Sequence, residues 1–238
     1  MLLAHYFPKI LTALLGGLFI FASIYSFGNA LIFDRLYIGV LIFTAIICRK
    51  NVNVFGVIVI LLFISAVNEI AWVVSEIEYK TFIKILFYAI GLIIYMVVRY
   101  DKVSNLLALS LLLCFCSEAY WIIVDRNPPE LYWVIFIQAS HLLTRHLLFY
   151  RVSYTADYYR DEAKSIDLDW HIFKLNTVAI VIHTLTVIEY IIRNVFGQVE
   201  VMFIYNLYPY LMHALAAYYI WIIFQESYKL LIPKLLRT

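Results

Sequence analysis

The chain has 238 residues, 65% of them hydrophobic and only 14% charged, with a mean hydropathy of +0.88; soluble domains run at about 45–50% apolar and roughly 25% charged, so a water-soluble fold of this length could not hide so much apolar surface. The formal net charge of +2 gives no reason to invoke nucleic acid. Apolar runs of roughly 20 residues recur, the length that crosses about 30 Å of hydrocarbon as a helix, and both faces of each are rich in Leu, Ile, Phe and Val, which excludes the alternating strands of a membrane barrel.

These runs predict an all-α membrane protein, a single domain over residues 1–238 built as a bundle of eight transmembrane helices. The first span, Ile10 to Phe27, follows Lys9 and imitates a signal peptide, but no small-residue cleavage site follows it and the later spans need none. Within it Ala13 and Gly17, then Ala22 and Ser26, form small-xxx-small pairs that allow close helix approach, inside the chain or in a homo-oligomer. The second, Leu31 to Cys48, carries Asp34 and Arg35 near its start; a helix beginning at Leu36 would keep little more than a dozen apolar residues. The others run Val52 to Val74, Tyr79 to Val98, Val103 to Val124, Leu131 to Tyr150, His171 to Arg193 and Val199 to Phe224. Tyrosines, 20 in all, gather near span ends as interfacial anchors do. Cys48, Cys114 and Cys116 lie in apolar runs without metal-type spacing and read as reduced packing residues.

Lysine and arginine collect at alternate ends: Arg49 and Lys50, Arg99 and Lys102, then Arg151, Arg160 and Lys164, and finally Lys229, Lys234 and Arg237. The positive-inside rule therefore places both termini and the larger charged loops in the cytoplasm, at the plasma membrane or, in a bacterium, the inner membrane. The longest hydrophilic segment, Arg151 to Trp170, is too short for a domain and reads as a solvated cytoplasmic loop with a helical turn, or as a docking surface for a soluble partner.

An internal repeat follows the chain order. Ser65, Asn68, Glu69, Trp72 and Glu76 in the third span match Cys114, Ser117, Glu118, Trp121 and Asp125 in the fifth at one offset of 49, and each set forms one helical face. Thr186, Glu189, Tyr190 and Arg193 in the seventh make a weaker copy, so helical hairpins repeat along the chain. Glu69, Glu118 and Glu189 stand about six residues, or roughly 9 Å, inside the outer ends of their spans. A carboxylate costs about 2.5–3.5 kcal/mol at a helix centre and less toward the interface. Three on equivalent faces point to an outward vestibule for a cation, a proton or a partner's basic group, or to pairs, for example with Lys84 or Arg193, that tie helices together.

His141, His183 and His213 fall near the midpoints of the last three spans. Imidazoles at one depth can hydrogen-bond across helix interfaces, relay protons, or ligate a metal or a haem iron. Arg145 lies one turn from His141 and is expected to snorkel to the cytoplasmic interface. Asn68, Gln138, Asn176 and Asn206 add polar atoms to the same interior.

No Gly-rich phosphate loop, GxSxG elbow or paired-glutamate or GxGD protease motif occurs, and Lys174 is too shallow to carry a retinal. Seven Gly and five Pro are few for a carrier with broken helices, and Pro209 reads as a packing kink. The leading expectation is a non-enzymatic protein that binds another membrane molecule: a partner subunit, a lipid or a pore-forming toxin. Glu69, Glu118, Glu189, Asn68, Trp72 and Trp121 are its candidate binding residues. Ion or proton permeation past those carboxylates is the second reading. A membrane oxidoreductase using His141, His183 and His213 is the third; no cofactor is expected, haem or metal being what those histidines leave open.

Overall fold

The computed structural model describes scattered positions between 10 and 25, then residues 30–75, 80–125 and 131–235, with the backbone alone at 30, 31, 33, 80 and 227–235. Seven helices are bounded there: α1 (Ala30–Cys48), α2 (Val52–Ser75), α3 (Lys80–Val98), α4 (Ser104–Ile123), α5 (Tyr132–Tyr158), α6 (Asp167–Asn194) and α7 (Phe203–Leu235). The described positions between 10 and 25 are helical too, and no strand occurs among the described residues. Ser26, from the predicted small-residue pairs, and Glu76, from the repeat, lie outside the described residues.

Among the described residues, five helices are long and apolar enough to cross a membrane: Val52–Ser75, Thr81–Val98, Ser104–Ile123, Asp167–Asn194 and Phe203–Glu226. The chain is thus a membrane-embedded helical protein. α5 is not among the five, because Gln138, His141, Arg145 and His146 interrupt its apolar run. Yet Ile135, Gln138, Ser140, Leu142, Thr144 and Arg145 are all buried, so protein rather than lipid surrounds its polar side.

Several helices outrun the predicted spans. α1 begins at Ala30 and keeps Asp34 and Arg35 inside the helix. α5 continues past Tyr150 to Tyr158, and α6 starts at Asp167 with Asp167 and Asp169 in its first turn, where the helix dipole favours negative charge. Hydropathy marks where lipid ends; a helix ends where its hydrogen bonds do. After α4 the chain turns at Asp125 (φ 52), and after α6 at Gly197 (φ 74), both left-handed positions of the kind that close helix C-termini.

The described chain forms two compact units. One comprises residues 1–65, 147–175 and 212–238; the other comprises 66–146 and 176–211, so α2, α5, α6 and α7 each contribute to both. In the first, α1 and the start of α2 share a core of Leu41, Cys48, Val57 and Ile58, joined by Ile172 and Ile223. A Cβ on Gly16 would run into the Trp221 ring, whereas one on Gly17 would meet nothing within 4 Å among the described residues. Among the described residues, close approach within the chain falls on Gly16.

In the second unit α3 packs on α4. The buried face of α4 runs Ser104, Leu107, Ser110, Leu111, Cys114, Ser117 and Trp121, spaced by three or four residues. Lipid is as apolar as leucine, so small residues and tight contact hold such helices together rather than expulsion from water. Gly91 of α3 serves the same end, since a Cβ there would stand 2.9 Å from Ile135 and 3.5 Å from Leu111.

Candidate functional site

The three predicted carboxylates have different fates. Glu118 receives the Lys84 ammonium at 2.7 Å and the Tyr88 hydroxyl at 3.2 Å, so α3 and α4 are joined by the ion pair their sequences suggested. Glu189 is not paired with Arg193. Its two oxygens accept the backbone N–H groups of Ile204, at 2.5 Å, and Tyr205, at 2.7 Å, and so cap the start of α7 from α6. The Arg193 guanidinium lies over the Tyr205 ring instead, 5.1 Å from its centre. Glu69 is half-buried and makes no hydrogen bond or ion pair to a described residue.

The residues predicted beside these carboxylates also diverge. Asn68 accepts the Ser140 hydroxyl at 3.0 Å, which ties α2 to α5. Trp72 is 47% exposed and meets Trp133 edge-on, while Trp121, its counterpart in the repeat, is only 8% exposed. Identical sequence spacing therefore yields one exposed and one buried indole.

A hydrogen-bonded seam runs between α5 and α6. Gln138 donates to Thr184 at 2.8 Å, and Asn176 accepts from Nδ1 of His141 at 2.8 Å. His183, fully buried, donates from Nδ1 to the Ala179 carbonyl at 2.6 Å. A carbonyl can only accept, so Nε2 of His183 is left to accept the Tyr208 hydroxyl at 3.2 Å. The rings of His141 and His183 are 5.4 Å apart. His213 belongs to the other unit, and no group of three His, Cys, Asp or Glu side chains placed for a metal ion occurs among the described residues.

Arg145 does not snorkel. Its Nε and Nη2 reach Asp101 Oδ2 at 3.0 and 2.8 Å, and Nη1 donates to the Thr177 hydroxyl. Asp101 stands in the turn after α3, and nothing in one dimension joins it to a residue 44 positions on.

A second polar cluster lies in the other unit, where the sequence suggested a solvated loop or a docking surface for a soluble partner. Arg151 grips both oxygens of Asp169 at 2.6 Å, donates to the Lys164 carbonyl at 2.8 Å, and reaches Asn53 Oδ1 at 3.2 Å. Asn53 clasps the loop backbone, donating to the Glu162 carbonyl and accepting from Lys164 N–H, each at 2.9 Å. Beside it opens an apolar cleft of about 280 Å³, lined by Val52, Phe55, Gly56, Val59 and Ile60 of α2 and by Arg151, Tyr154, Thr155, Tyr158 and Tyr159. Gly56 leaves room for the Arg151 stem, whose Cδ would stand 3.4 Å from an added Cβ.

No protein family, curated protein or solved structure matches this chain.

Proposed function

We propose that the chain is a non-enzymatic integral membrane protein that binds another membrane molecule at the outer end of α2. In this reading it has eight spans and cytoplasmic termini, and it resides in the plasma membrane, or the inner membrane of a bacterium. The observation that carries the proposal is Glu69: Glu118 and Glu189 are engaged within the bundle, while Glu69 has no partner among the described residues. An unpaired carboxylate about 9 Å inside a membrane helix is costly unless something supplies its missing donor. Trp72, one turn further out and half exposed, adds an aromatic surface of the kind that anchors interfaces. The permeation reading draws less support, because two of its three carboxylates are held by fixed donors.

The test is a photoreactive amino acid in place of Trp72, irradiated in native membranes, with the same group at lipid-facing Leu112 as control. A discrete adduct at position 72 alone is expected. Equal, lipid-sized additions at both positions would overturn the proposal.

A further inference from the structure

We infer that the cleft beside α2 seats one acyl chain of an anionic phospholipid whose headgroup rests on Arg49 and Lys50. The site is separate from the one proposed at Glu69, and every residue it draws on belongs to the unit made of residues 1–65, 147–175 and 212–238.

The cleft begins at Val52, the first residue of α2 and of an apolar span, so its mouth lies at the membrane boundary. It follows α2 to Ile60 and the opposite wall from Arg151 to Tyr159. Eight residues of helix at 1.5 Å each make it about 12 Å long. Phe55 and Val59 are exposed along it, so it opens sideways to the bilayer rather than into the core. The guanidinium at its margin leaves it apolar. Arg151 directs its N–H groups to Asp169, Asn53 and the Lys164 carbonyl, and lays its stem against Gly56. A cavity of about 280 Å³ falls just short of the roughly 300–1,000 Å³ that enclose a whole drug-sized molecule, which suits one chain of a lipid whose remainder stays in the bilayer.

Charge at the mouth selects the headgroup. Arg49 and Lys50, both exposed, form the turn that delivers the chain into Val52, and no acidic residue occurs between Leu36 and Asn68. The exposed carboxylates of this region, Asp157, Asp161 and Glu162, go with the opposite wall, which sets a phosphodiester against the α1–α2 turn. Each Lys or Arg near the membrane surface strengthens binding to anionic lipid by roughly fivefold. Tyr154, Tyr158 and Tyr159, all exposed, supply hydroxyls at the same end, the level at which tyrosines anchor to the polar part of a bilayer.

The test places the full chain in phosphatidylcholine vesicles with a trace of a photoreactive lipid, its diazirine on one acyl chain, and maps the adducts by mass spectrometry. A phosphatidylglycerol probe should label residues 52–60 and 151–159 well above the lipid-facing surface around Leu112, and a phosphatidylcholine probe should not. Replacing both cations of the exposed turn, Arg49→Gln with Lys50→Gln, should cut phosphatidylglycerol labelling of the cleft roughly tenfold and leave the adducts around Leu112 unchanged. Val59→Trp, which fills the cleft from its exposed side, should reduce that labelling too; if the indole disturbs folding, the turn variant decides alone. Cleft labelling no stronger than that around Leu112, equal labelling by the two probes, or labelling indifferent to the loss of Arg49 and Lys50 would each overturn the inference.

Discussion

Arg151 shows how a single side chain can escape a reading in one dimension. In sequence it opens a polar segment and counts as a topology signal; in space its side chain is 2% exposed and its guanidinium is bidentate on Asp169, 18 residues later. Two charges in a hydrophilic stretch look solvated unless it is known that α5 runs on to Tyr158 and brings the chain back. Removing one member of such a pair strands the other, at a cost of about 3–5 kcal/mol, whereas replacing both by apolar residues costs far less. Asp169→Asn should therefore lower the thermal midpoint in detergent more than the double change Arg151→Met with Asp169→Leu, and a larger loss in the double variant would refute that. Arg145 carries the same lesson: depth was legible, the Asp101 partner was not.

At the scale of helices, periodicity revealed faces and left neighbours open. The repeat grouped Glu69, Glu118 and Glu189 by position, yet Lys84 stands opposite only one of them, and a second receives the backbone of α7. The ends of α2, α3 and α4 were legible to within about a residue or two because charged loops bound them closely. So were the start of α5 and the end of α6; the end of α5, the start of α6 and the end of α7 were not, because there the helix continues beyond its apolar stretch, and α7 begins four residues later than its apolar run. The Glu189 cap gives an expectation at this scale. Glu189→Ala removes both acceptors from Ile204 and Tyr205, a loss of about 1 kcal/mol by analogy with helix caps. Hydrogen exchange at those two amides should accelerate by roughly fivefold to tenfold, with Glu189→Gln, which keeps one oxygen, in between. Unchanged exchange in the alanine variant would show that the cap does not hold the helix.

For the whole molecule, composition was sufficient to establish a membrane-embedded bundle, and charge asymmetry supplies an orientation that can be checked directly. With cytoplasmic termini, a cysteine at exposed Asp161 should react with an impermeant maleimide only after cells are opened, and one at Gln198 should react in intact cells. The reverse pattern would invert the topology. Native thiols interfere little, since Cys48 and Cys114 are buried and Cys116 sits on an apolar helix.

The clasp of Asn53 on the loop backbone bears on how the chain is made. Its partners, Glu162 and Lys164, lie 109 and 111 residues downstream, and synthesis proceeds from the N-terminus. α2 therefore enters the bilayer long before the groups that satisfy its first turn leave the ribosome. Arg151 waits in the same way for Asp169. A chain stalled after α5 would carry most of its apolar helices and still show an open amide and a stranded guanidinium at one surface. Completion of that short loop thus satisfies the Asn53 amide and the Arg151 guanidinium together, late in synthesis.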